Sequence, residues 1–149
     1  MRVRATSAAD RADLAMLGDA EGSLRDGLVF VASRGFTDWQ AVEDELSEAF
    51  GLVQEASGHD APVVFVVETE AMLGRGEVLD AMVATGLVSG ARVLAFEGLR
   101  RDRYVGIIAS DRSERAGSLA DAVGFATSTR AALGQVLVLG TGHAGGMFP

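Results

Sequence analysis

The sequence contains no cysteine, no lysine and no asparagine. Without cysteine there is no disulfide, no thiolate nucleophile and no cysteine metal site. Without lysine there is no Schiff base, no ammonium-assisted proton transfer and no phosphate-loop lysine. All 13 basic residues are arginine, and 21 acidic residues outweigh them to leave a net charge of −8. Phosphate binding needs a clustered basic surface, and the one short cluster here, Arg100, Arg101 and Arg103, reads as a solvated helix end, so nucleic acid is not an expected partner. The longest continuous apolar run, around residues 63–67, is too short to cross a bilayer. Met1-Arg2-Val3-Arg4 does not lead into a secretory leader, so the expected setting is the cytoplasm, away from membranes.

What is present fits one domain, residues 1–149. Apolar, β-branched runs at 3–5, 28–32, 63–67, 104–109 and 135–139 alternate with segments of helical periodicity, which predicts an α/β fold with a mostly parallel sheet of about five strands. Ser7 and Asp10 open a helix over 8–17 that Gly18 ends. A longer helix, 39–56, carries Trp39, Val42, Leu46, Phe50 and Val53 as one stripe, and Pro62 opens the next strand. A last helix is predicted over 118–130.

The helix predicted over 77–96 is apolar on more than one side, with Val78, Leu79, Met82, Val83, Leu87, Val88, Val93 and Leu94 spread around it. Ala81, Ala84, Gly86, Ser89, Gly90 and Ala91 lie between them and admit a close neighbour. One side is expected to cover the sheet and the other to form a subunit interface.

Several stretches together resemble the short-chain dehydrogenase/reductase (SDR) family. Asp26-Gly27-Leu28-Val29-Phe30-Val31-Ala32-Ser33 is similar to the family's fourth strand, residues 39–56 to the long helix that follows, and 61–67 to its fifth strand. Leu119-Ala120-Asp121-Ala122-Val123-Gly124-Phe125-Ala126, followed by Gly134-Gln135-Val136-Leu137-Val138-Leu139-Gly140, resembles the family's closing helix and strand. The likeness covers the chain from about Asp26 onward and implies a three-layer, Rossmann-like sheet lacking the N-terminal nucleotide-binding half. No Gly-x-x-x-Gly-x-Gly turn precedes Asp26. The family's Asn-Asn-Ala-Gly turn reads Phe30-Val31-Ala32-Ser33 here.

The resemblance also implies a degenerate proton relay. It sets Asp80 at the tyrosine position, Ala84 at the lysine position, Glu68 or Thr69 near the serine and Glu45 near the asparagine. Catalytic and cofactor-binding residues are therefore expected to be absent, with NAD or NADP carried by a full-length catalytic SDR partner. Family members pair through their two long helices, which implies partner contacts at Trp39, Val42, Leu46, Phe50, Leu79, Met82, Val83, Leu87 and Val93, with Met147 and Phe148 as anchors in the tail. The expected assembly is a hetero-oligomer, a dimer of heterodimers.

Other constellations read as structural. Glu43, Asp44, Glu45 and Glu48 fall on one helix and are expected to be solvated charge, whereas Glu68 and Glu70 end the central strand, where parallel-sheet ligands bind. His59 and His143 do not make a metal site, Ser33 and Ser110 have no base nearby, and Tyr104 reads as a strand residue. Two other functions remain open: a homodimeric module binding an acyl or polyketide-like small molecule, and an isomerase or dehydratase using Glu68, Asp80 or Glu45. The N-terminal strand is expected to pair directly with the strand that starts at Leu28.

Overall fold

The structure, a computed structural model, describes residues 1–101, 103–111 and 119–140. Five parallel strands form one sheet whose spatial order is their order in the chain: β1 (Arg2–Arg4), β2 (Leu28–Val31), β3 (Val63–Glu68), β4 (Val105–Ser110) and β5 (Val136–Leu139). The three middle strands are buried on both faces apart from the last residue of β3, which is why they read as unbroken apolar runs rather than alternating ones. β1 pairs directly with β2, Arg2 opposite Leu28 and Arg4 opposite Phe30, as expected, though the strand lies one residue earlier than predicted.

Ser7 caps α1 (Ala8–Leu14) by accepting from the Asp10 amide. α1 stops at Leu14, short of the predicted 17, and residues 15–17 continue as a turn in which the Leu17 amide donates to the Leu14 carbonyl. Gly18 is held at φ +156°, where an added Cβ would stand 2.0 Å from the Met1 carbonyl oxygen, so no other residue fits there. Asp38 caps α2 (Trp39–Ser57) through the Ala41 amide at 2.9 Å. A short helix unforeseen in the sequence, α3 (Thr69–Met72), follows β3 directly. Beyond it come α4 (Val78–Gly98), a single 3-10 turn at Leu99–Arg101, and α5 (Leu119–Thr129).

Alternation along the strands splits the core into two layers. Leu28, Phe30, Val63, Phe65, Val105 and Ile107 meet α2 and α4, while Val29, Val31, Val64, Val66 and Ile108 meet Leu14 of α1 and Val123 of α5. Every βα unit advances one place in the same direction across the sheet. Crossovers over opposite faces must then have opposite hands, so those through α1 and α5 are of one hand and those through α2 and α4 of the other. One pair therefore has the hand that parallel crossovers almost never adopt.

Two sequence expectations change here. α4 with its following turn, Val78–Arg101, is long and apolar enough by composition to cross a membrane, which the short continuous runs had concealed. In this fold its Val83, Leu87 and Ala91 are fully buried in the α2/α4 core layer. Secondly, Val42, Val83 and Leu87, expected to meet a partner, are each 0% exposed, because the sheet takes the side of each helix that carries them. Met147, Phe148 and His143 lie outside the described residues.

Candidate functional site

Ligands of open α/β sheets bind beyond the carboxyl ends of the strands, where neighbouring strands send their connections to opposite faces. Two such forks exist here. β1 leads to α1 while β2 leads to α2 on the other face, and β3 leads to α3 and α4 while β4 leads to α5.

The first fork is closed by the Arg4 side chain. Its guanidinium donates to both carboxylate oxygens of Glu45, to Glu48, to Ser33 Oγ at 2.9 Å and to the Val31 carbonyl, and it lies 4.6 Å from the centre of the Phe30 ring. Burial alone would lower the Arg4 pKa, but the hydrogen bonds and charges of Glu48 and Glu45 outweigh it and raise the value above the usual one. Arg4 thus remains a cation at any working pH. Glu45, expected to be solvated, is only 5% exposed, whereas Glu43, Asp44 and Glu48 do face solvent. The spacing carried the signal, because Glu45 lies three residues after Val42 and four before Ala49, on the buried stripe of α2. A carboxylate on such a stripe requires a cation, and Arg4 was not foreseen as that cation.

The three acids assigned to relay positions converge on one short loop, residues 33–36. Glu45 accepts from the Ser33 amide at 2.7 Å. Glu68 accepts from the Arg34 side chain at 2.8 Å, and Asp80 accepts from the amides of Gly35 at 2.9 Å and Phe36 at 3.1 Å. Gly35 sits at φ +75°, a left-handed conformation that suits glycine and presents consecutive amides to one carboxylate. This loop begins at Ser33, the last residue of the segment Phe30–Ser33 at the end of β2. Ala84, expected at the lysine position, is buried in the core, with no polar group to offer.

The second fork is different. Thr69 and Ser110 are buried, and neither Thr69 Oγ1 nor Ser110 Oγ has a hydrogen-bond partner. They lie at the ends of adjacent strands, since Ser110 pairs with Glu68 in the β3–β4 register. Glu70 is exposed and lies 3.9 Å from Arg75. Tyr104 precedes β4 rather than lying within it, and its hydroxyl donates to the Ala131 carbonyl at 2.8 Å. Burial pushes its pKa up, the opposite of what a catalytic phenol needs. Among the described residues no group of three or more metal-ligating side chains stands together.

Of the residues expected at an interface on α2 and α4, those other than Val42, Val83 and Leu87 are partly or fully exposed. Trp39, Phe50, Met82 and Val93 are exposed, and Leu46 and Leu79 are half-buried. Gly86 and Gly90 of α4 lie against Leu46 and Phe50 of α2, so the two helices meet closely and present one continuous outer surface. No family model matches this chain, and no curated protein matches its sequence.

Proposed function

We propose that this chain is a non-catalytic subunit of a hetero-oligomeric oxidoreductase or ketoreductase of the SDR type, a Rossmann-like domain without the nucleotide-binding half. It stabilises or completes the active site of a full-length catalytic partner that carries NAD or NADP. The assembly is cytoplasmic and involves neither nucleic acid nor a membrane.

The observation that carries this reading is the convergence of Glu45, Glu68 and Asp80 on residues 33–36. A general acid or base must leave its oxygen open to substrate. Here Glu45 and Asp80 already accept on both oxygens, from a guanidinium or from main-chain amides, so these two acids order a loop instead of moving a proton, while Glu68 accepts from Arg34 on one oxygen. Arg4 fills the first fork, and Asp80 and Ala84 supply no phenol-ammonium pair. The isomerase or dehydratase alternative loses Glu45 and Asp80 as bases for the same reason and is left with Glu68. Contact with the catalytic partner falls to the outer surface of α2 and α4, to β5, and to Met147 and Phe148 beyond it.

The test is co-expression with a full-length SDR subunit bearing the glycine-rich turn and the Tyr-x-x-x-Lys pair. The two chains are expected to co-purify, with dinucleotide binding and turnover in the complex and neither in the isolated chain. Tight dinucleotide uptake by the isolated chain overturns the proposal.

A second reading, the acyl or polyketide-like binding module, is favoured by the unpartnered Thr69 and Ser110 hydroxyls at the second fork. It requires a ligand-induced rise in melting temperature that Thr69→Val and Ser110→Ala both abolish.

A further inference from the structure

The two faces of β5 are covered unequally. Leu137 and Leu139 pack into the layer that holds α5, whereas Val136 and Val138, on the other face, are bordered by α4 but not roofed by it. Two cavities open on that face. One of about 450 Å³ lies between Val88 of α4 and the Val136 and Val138 side chains, and the next, of about 340 Å³, lies between Ala95 of α4 and residues 133–135. Arg92 lines both, so they form one trench that follows β5 between α4 and the outer edge of the sheet. At its far end the walls close up: a Cβ on Gly134 would stand 2.9 Å from the Ala95 Cβ.

The chain itself arrives at the near end. β5 stops at Leu139, and Gly140 takes φ +153°, a conformation that favours glycine. Residues 141–149, which lie outside the described residues, read Thr141-Gly142-His143-Ala144-Gly145-Gly146-Met147-Phe148-Pro149. We propose that this tail folds back on its own chain as an antiparallel sixth strand along β5, with either Met147 or Phe148 seated in the trench beside Ala95. A hairpin turn of two, three or four residues after Leu139 sets Met147 opposite residue 134, 135 or 136 and Phe148 opposite residue 133, 134 or 135. Every such turn therefore brings the apolar pair to the far cavity. Neighbouring residues of a strand point to opposite faces, so one of the pair enters the trench and the other extends the face that holds α5. The tail has neither carboxylate nor guanidinium to bury, and Pro149 suits the end of an edge strand. A second copy could offer the same tail to this edge, but a turn of a few residues closes at far less entropic cost than two chains assembling. The inference goes beyond the subunit reading and alters it in one respect: in the isolated chain Met147 and Phe148 meet their own sheet before any partner.

The absence of cysteine makes the test free of background. Gln135→Cys is combined with Met147→Cys and, separately, with Phe148→Cys. A short bismaleimide is expected to join at least one of these pairs within a single chain at low micromolar concentration. Ala12→Cys with Phe148→Cys, the former exposed on α1, should stay unjoined. Hydrogen exchange at the β5 amides that face away from β4 should slow about tenfold or more in the full chain relative to a chain cut after Gly140. Met147→Asp with Phe148→Asp should remove that protection, and it supplies the comparison if the cut chain does not fold. Links between chains instead of within one assign the edge to a second copy and overturn the proposal. So does equal protection with and without the tail, or linking no better than at Ala12. None of these measurements involves a catalytic subunit. Their failure leaves the subunit reading standing, and failed co-purification with an SDR subunit leaves the tail contact standing.

Discussion

At the carboxyl edge of the sheet, the acids are answered by hydrogen bonds, and one of them, Glu45, is buried. Glu45 is held by Arg4 and the Ser33 amide, Glu68 by Arg34, and Asp80 by the amides of Gly35 and Phe36. On the outer face of α4 the reverse holds: Val78, Val93, Phe96 and Leu99 stand in water, each more than half exposed. An enzyme leaves its site polar groups open for substrate and buries its apolar ones. This chain settles much of its edge polarity internally and leaves apolar surface outward, an arrangement that suits the proposed subunit role.

The largest expected effect tests the buried half of that contrast. Arg4→Ala should cost about 3–5 kcal/mol in urea unfolding, because it strands a carboxylate that is only 5% exposed. Replacing both partners, Arg4→Met with Glu45→Leu, should recover much of the loss. If Arg4→Ala costs no more than a surface pair, the edge is wetter than its geometry states and the contrast fails. Asp80→Ala should cost about 1–2 kcal/mol and speed amide exchange at Gly35 and Phe36, since its hydrogen bonds are charge-assisted but partly exposed.

Thr69→Val should do the opposite and stabilise by about 1 kcal/mol, exchanging an unpartnered buried hydroxyl for a methyl of the same shape. Destabilisation instead reveals a bound water or ligand that the hydroxyl serves. The smallest effect belongs to the other face: Phe96→Ser should shift folding stability of the monomer by less than about 0.5 kcal/mol, as surface changes do. A large loss there means that Phe96 packs within its own chain.

Much of this fold was legible because a parallel sheet buried on both faces requires unbroken β-branched runs, and residues 28–32, 63–67 and 104–109 have them. The extent of helix α2 was equally clear, being set by local periodicity, whereas its Asp38 cap went unread and two members of its expected stripe, Trp39 and Phe50, are exposed. Which face each crossover takes left no trace in the sequence, since hand is decided by packing after the elements form. The same gap misplaced Val42, Val83 and Leu87: periodicity shows that a helix is apolar on several sides but not which side the sheet will claim. α3 escaped notice because four residues are too few to show a period. The acids of the edge were identifiable singly, but their shared loop was not, because Asp80 and Gly35 are 45 residues apart and their meeting is a tertiary event.

The two rims of the sheet carry unequal protection. β1 places Arg2 and Arg4 at its ends and spans only three residues, whereas β5 reads Val136-Leu137-Val138-Leu139, all half-buried, with neither charge nor proline. Among the described residues no strand pairs with the outer edge of β5, and a rim of this kind templates the addition of a further strand. Whichever segment or chain covers β5 therefore decides whether that rim stays open to further strand addition.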